Sequence, residues 1–180
     1  MEYQNVFHLI SDICEKQDVS CILIGGFAVN YYHVSRQTAD VDFLITKSDF
    51  EKISGLLEIN HYKQIYSEEI FTRYTSRNIR LILDIDFPFV DSETFSKIRK
   101  SGEKIKIAGR EFYVPSLENL IALKLHSIKN NPENRQNKDL FDILELIKAN
   151  KMDYNSSRFK ELCLQYGAYA LYEEIIKRTG

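Results

Sequence analysis

The spacing of apolar residues changes at Pro115. Before it, short apolar runs of strand length alternate with segments whose apolar residues recur at three and four. After it, "SLENLIALKLHSIKN", "KDLFDILELIKAN", "SSRFKELCLQYG" and "AYALYEEIIKRT" all carry helical spacing. A pleated strand repeats every two residues and a helix every 3.6, so the two halves cannot share one architecture. The order predicts a mixed α/β core over residues 1–115. A C-terminal helical region over 116–180 is expected to pack on it.

Within the first part, "VFHLISDICEKQ" places Val6, Leu9, Ile10 and Ile13 on one helical face. "CILI" reads as a short buried strand that ends at Gly25-Gly26, followed by a short helix in "FAVNYYHV" and a second strand in "VDFLIT". Ser48 is the expected N-cap of a helix through "DFEKISGLLEI". "HYKQIY", "IFTRYTS" and "IRLILDIDF" read as strands, with "SRN" as a turn. Ser92 and Gly102 should begin and stop a helix, and "KIKIAGREFYVP" should turn back on itself at Ala108-Gly109. "NNPENRQN" is expected to be a polar loop.

Composition excludes several classes. Of 180 residues, 44% are hydrophobic and 28% charged, which suits a folded soluble chain and argues against long disorder. The formal net charge of −2 gives no global basic excess that would advertise nucleic acid. No apolar run approaches the roughly 20 residues that span a bilayer, so no membrane partner is expected. The first residues carry acids and no basic segment, unlike a secretory signal. Cys14, Cys21 and Cys163 are scattered and odd in number, which points to a reducing cytoplasm.

The chemistry concentrates in "TADVDFLI". Asp40 and Asp42 are two apart on a strand and so face the same way. Neighbouring carboxylates repel unless a cation lies between them. A divalent metal, Mg²⁺ or else Mn²⁺, is the economical reason to place them together, the other reading being a solvated strand end. Gly25-Gly26, between a strand and a helix, could let backbone approach a phosphate. "LILDIDF" supplies Asp84 and Asp86 on a second strand. Either would complete a site for two ions about 3.5–4 Å apart, and parity does not separate them.

These residues together, "GG…RQTADVDF…LDIDF", resemble the nucleotidyltransferase superfamily that includes DNA polymerase β. With "PSLENLIALKLHSI" and "NRQNKDLFDILELI", the chain more narrowly resembles the AbiEii-type toxin nucleotidyltransferases, over residues 20 to about 148. The resemblance implies an α+β fold, a mixed sheet flanked by helices. It implies NTP as substrate and transfer of its nucleoside monophosphate to a hydroxyl, with pyrophosphate released. Two Mg²⁺ ions are implied on Asp40, Asp42 and Asp84 or Asp86, with Asp84 favoured. Gly25, Gly26, Arg36 and Thr38 are implied as nucleotide-binding. The acceptor could be RNA, such as tRNA, or a small molecule of aminoglycoside or lincosamide type. A third reading is a nucleotide-binding module without turnover. A cognate antitoxin is an implied partner.

Helical geometry adds Lys124, which falls inside the stripe of Leu117, Leu120, Ile121 and Ile128. A lysine there either snorkels to water or is paired. The next helix has a stripe of Leu140, Ile143, Leu144 and Ile147, flanked by Asp139. If the two helices pack antiparallel, Lys124 and Asp139 should meet. The resemblance implies triphosphate binding for Lys124, and nucleophile activation or substrate contact for Asp139. Asp142 is expected to point outward as a surface residue. The lysines and arginines of "SKIRKSGEKIKIAGR" read first as a solvated face. Arg73 in "FTRYTS" reads as part of ordinary cross-strand packing.

Overall fold

A computed structural model describes residues 3–77 and 83–180. The order is α1 (Val6–Lys16), β1 (Ile22–Ile24), α2 (Gly25–Tyr31), β2 (Asp40–Thr46), α3 (Lys47–Ile59), β3 (Tyr62–Glu68), β4 (Phe71–Ser76), β5 (Asp84–Val90), α4 (Ser92–Ser101), β6 (Glu103–Ile107) and β7 (Arg110–Val114). Four helices follow: α5 (Leu117–Asn130), α6 (Pro132–Ala149), α7 (Ser157–Tyr166) and α8 (Tyr169–Thr179). The fold is α+β, as the change of period predicts. Asn78 of the expected turn and residues 79–82 of the expected strand lie outside the described residues.

The chain divides into two compact units, one of residues up to Phe27 with Gln37–Pro115, the other of Ala28–Arg36 with Ser116–Gly180. In the first, the described strands form a 7-stranded sheet in the order β3-β4-β5-β2-β1-β7-β6. The sheet is mixed. β2 pairs parallel with β5 and β1 with β7, and the remaining pairs are antiparallel. Along β2 the buried Val41, Phe43 and Ile45 occupy one face. Phe43 lies 6.2 Å from Phe87 and 5.5 Å from Phe112, and Phe7 of α1 and Phe50 of α3 extend the cluster. Aromatic pairs at such spacings add contact energy to their burial. Asp40 and Asp42 alternate onto the opposite face. At the sheet edge, β3 exposes every residue after Tyr62 and is broken by a bulge between Gln64 and Tyr66.

In the second unit, α5 and α6 form a helical hairpin, and Gly167 separates α7 from α8 with its amide donating to Cys163. The expected polar loop is largely helix. Pro132 opens α6, where a missing N–H costs nothing, so only Asn131 joins the hairpin.

Two expected caps move by one or two positions. Asp91, not Ser92, caps α4 by accepting from the Thr94 amide. Thr46, not Ser48, caps α3 by accepting from the Asp49 amide, because the last residue of β2 already carries a hydroxyl at the right distance. Replacing Thr46 by Ala should therefore cost about 1 kcal/mol. Ser48→Ala should stay within about 0.5 kcal/mol of the parent. Urea unfolding of the two variants checks the assignment, which reverses if Ser48 is the costlier loss.

Candidate active site

The parallel pairing of β2 with β5 sets Asp40 opposite Asp84 and Asp42 opposite Asp86. All four carboxylates therefore share one face of the sheet. β4 adds Arg73 directly opposite Asp86. Its Nε and Nη2 donate to the two Asp86 oxygens at 2.6 and 2.5 Å, a side-on fork. Nη2 also lies 3.7 Å from Asp40 Oδ2. The hydrogen bonds to Asp86, with the added fields of Asp40 and Asp42, hold the guanidinium's pKa above its ordinary value. Asp86 is almost fully buried, its side chain 1% exposed, whereas the Asp40 side chain is 25% exposed. Asp84 is half-buried, and its charge, after burial, helps raise the Tyr62 hydroxyl's pKa.

Two glycines and a threonine fit closely against this face. Gly25 has φ +62°, and a Cβ there would stand 1.8 Å from Asp42 Oδ2. A Cβ on Gly26 would stand 2.8 Å from both Cβ and Oγ1 of Thr38. The glycine pair is thus required by packing against Thr38 and Asp42, which explains it without a ligand. The Thr38 hydroxyl points its one proton toward the Asp40 carboxylate, 2.8 Å, and the Asp40 carbonyl, 3.0 Å. Among the described residues no group of three or more His, Cys, Asp or Glu side chains is gathered around a metal-sized point.

The second unit holds a separate buried charge network. Lys124 Nζ donates to Asp139 Oδ1 at 2.9 Å and to Asp142 Oδ2 at 2.6 Å. All three residues are buried. Lys124 and Asp139 sit about two turns to either side of Asn131, so the hairpin brings them level. Asp142 corrects the sequence reading: it does not point outward but is fully buried. The buried stripe of α6 holds the expected Leu140, Ile143 and Ile147 and adds Asp139, Asp142 and Leu146, with Leu144 only half-buried. Arg36 completes the network, its Nη1 donating to Asp142 Oδ2 at 2.9 Å. Asn30 holds the Arg36 backbone at both its N–H and its C=O. Asp142 Oδ1 is buried and meets no hydrogen-bond partner among the described residues.

Sequence reasoning thus missed Arg73 and Asp142 as parts of charge networks. Asp142 had a readable signal, being three residues after Asp139 on a continuing stripe. Arg73 had none, because its partner is set by strand register.

Residues 9–175 match the family described as "Nucleotidyl transferase AbiEii toxin, Type IV TA system". The chain belongs to this family. No curated protein matches it by sequence. Solved structures of low identity share the nucleotidyltransferase fold. The solution structure of the antibiotic-resistance factor ANT(2'')-Ia has a TM-score of 0.64 at 13% identity, covering 95% of this chain and 93% of that one. An antigenic nucleotidyltransferase-like protein from Paracoccidioides brasiliensis has a TM-score of 0.56 at 15% identity, covering 89% and 84%. The lincomycin-bound lincosamide antibiotic adenylyltransferase LnuA has a TM-score of 0.54 at 18% identity, covering 78% and 93%. No described helix of this nucleotidyltransferase-family chain is long and apolar enough to cross a membrane.

Removing Asp142 alone leaves Lys124 and Arg36 short of a counter-charge in a buried site. Asp142→Ala should cost about 3 kcal/mol or more. Glu133, an exposed acid on the same helix, supplies the control, and Glu133→Ala should change stability by no more than about 0.5 kcal/mol. Equal unfolding midpoints for the two variants would show that the network carries no stability.

Proposed function

We propose that this chain transfers a nucleoside monophosphate from an NTP to a hydroxyl acceptor. The acceptor oxygen bonds to the α-phosphorus, the bond to the bridging β-phosphate oxygen breaks, and pyrophosphate leaves as the hydroxyl gives up its proton. The observation that carries this reading is the register that lines Asp40, Asp42, Asp84 and Asp86 on one face. The donor set is oxygen only, which fits a hard divalent cation. Asp40 and Asp42, with Asp84 or Asp86, would hold two Mg²⁺ ions, or Mn²⁺ in their place. When bound, such ions neutralise phosphate charge and lower the pKa of a nearby hydroxyl.

Thr38 fixes the Asp40 carboxylate through its hydroxyl. Gly25 leaves space beside Asp42 that any side chain would fill. Lys124 is assigned to triphosphate binding, and Asp139 to nucleophile activation or substrate contact. Their mutual pairing keeps both charged groups compensated until substrate arrives. Arg36 is assigned to nucleotide binding, with its Nη1 steadied by Asp142 and further guanidinium N–H groups outside that contact. Family membership supports a toxin role and an antitoxin partner. The reading takes RNA, such as tRNA, as the acceptor and the cytoplasm as the location. A small-molecule acceptor is the second reading, supported by fold likeness to ANT(2'')-Ia along nearly its whole length.

The test is label transfer from each α-³²P-NTP with Mg²⁺, in the presence of total tRNA or a panel of aminoglycosides and lincosamides. Label on RNA should fall by about a hundredfold or more in Asp42→Ala and in EDTA. Label on an antibiotic selects the second reading. Transfer that survives Asp42→Ala overturns the carboxylate site.

A further inference from the structure

Parity leaves Asp84 and Asp86 equivalent, but their surroundings differ. Both Asp86 oxygens are engaged by the Arg73 fork at 2.6 and 2.5 Å, and the side chain is 1% exposed. A metal ligand needs an oxygen lone pair directed at the ion, and a buried carboxylate gripped at both oxygens would first have to break a charge-assisted pair. The Arg73 fork does not extend to Asp84, which opens β5 at the same level as Asp40 opens β2.

Arg73 itself is only partly covered, its side chain 37% exposed, and its Cζ lies over the Phe71 ring, 5.9 Å from the centroid. A guanidinium has five N–H donors, and a side-on fork engages one on Nε and one on Nη2. The outer edge is not part of that fork. The guanidinium stands on the carboxylate face, with Nη2 3.7 Å from Asp40 Oδ2. We propose that Asp86 is the anchor of Arg73 rather than a metal ligand, and that Arg73 offers its outer edge to the nucleotide's polyphosphate. This rests on the function proposed above. The metal ligands are then Asp40, Asp42 and Asp84. An arginine, not a lysine, suits the task, because one planar group must grip a carboxylate and still present donors to a phosphate.

The experiment uses the double variant Arg73→Gln with Asp86→Asn, which removes both charges together and avoids a lone buried ion. Thermal unfolding establishes that it folds. Mn²⁺ binding, followed by the EPR signal of the free ion, should stay within about threefold of the parent, while Asp84→Asn weakens it by about tenfold or more. Calorimetric titration with inorganic tripolyphosphate in Mg²⁺ should show about tenfold weaker binding in the double variant. Arg73→Lys should fall between the two, keeping the charge without the fork. Loss of Mn²⁺ in the double variant with the parent still binding makes Asp86 a ligand and overturns the assignment, leaving the proposed function intact. Unchanged tripolyphosphate affinity in a folded double variant reduces the pair to a structural bridge. A parent that binds no Mn²⁺ overturns the metal reading of the proposed function, and the ligand role of Asp84 with it.

Discussion

The parallel pairing of β2 with β5 is the constraint on which the first unit depends. It sets four negative side chains on one sheet face, at spacings where carboxylates repel. The opposite face compensates through apolar packing, with Phe43, Phe87, Phe50 and Phe112 in one aromatic cluster. The charged face is compensated locally, by Arg73 from the next strand and by the Thr38 hydroxyl. A sheet that carried these acids without the aromatic face behind them would have little reason to hold this register.

The second unit meets a similar problem in a different way. Asp139 and Asp142 are on a helix and lie inside its apolar stripe, where both are buried. Lys124 and Arg36 both converge on one Asp142 oxygen. Buried ion pairs of this kind add little net stability against apolar packing, yet breaking one is costly. Such a network favours one arrangement of α5, α6 and the Ala28–Arg36 segment over near alternatives, which is a different contribution from cohesion.

Much of this was legible in the sequence because it depends on local periodicity. The parity of Asp40 with Asp42 and of Asp84 with Asp86 requires only a strand. The meeting of Lys124 with Asp139 requires only two helices and a short link. What was not legible depends on register or on fine phase. The stripe of α6 is rotated by a fraction of a turn from the one that Leu144 suggested, and that rotation carries Asp142 inward. Thr46 displaced Ser48 as a cap because β2 runs directly into α3 without a loop. Arg73 faces Asp86 because β4 and β5 pair as they do, and no property of "FTRYTS" contains that information.

The outer strand of the sheet has a bearing on how the chain behaves in a crowded solution. Among the described strands β3 lies at an end of the order and exposes Ile65 and Tyr66, and an edge strand is a template for pairing with another chain. The bulge between Gln64 and Tyr66 interrupts the regular alternation of donors and acceptors there. Lys63 places a cation along the same stretch. An irregular, charged edge of this kind is a poorer template for edge-to-edge pairing than a flat, regular one.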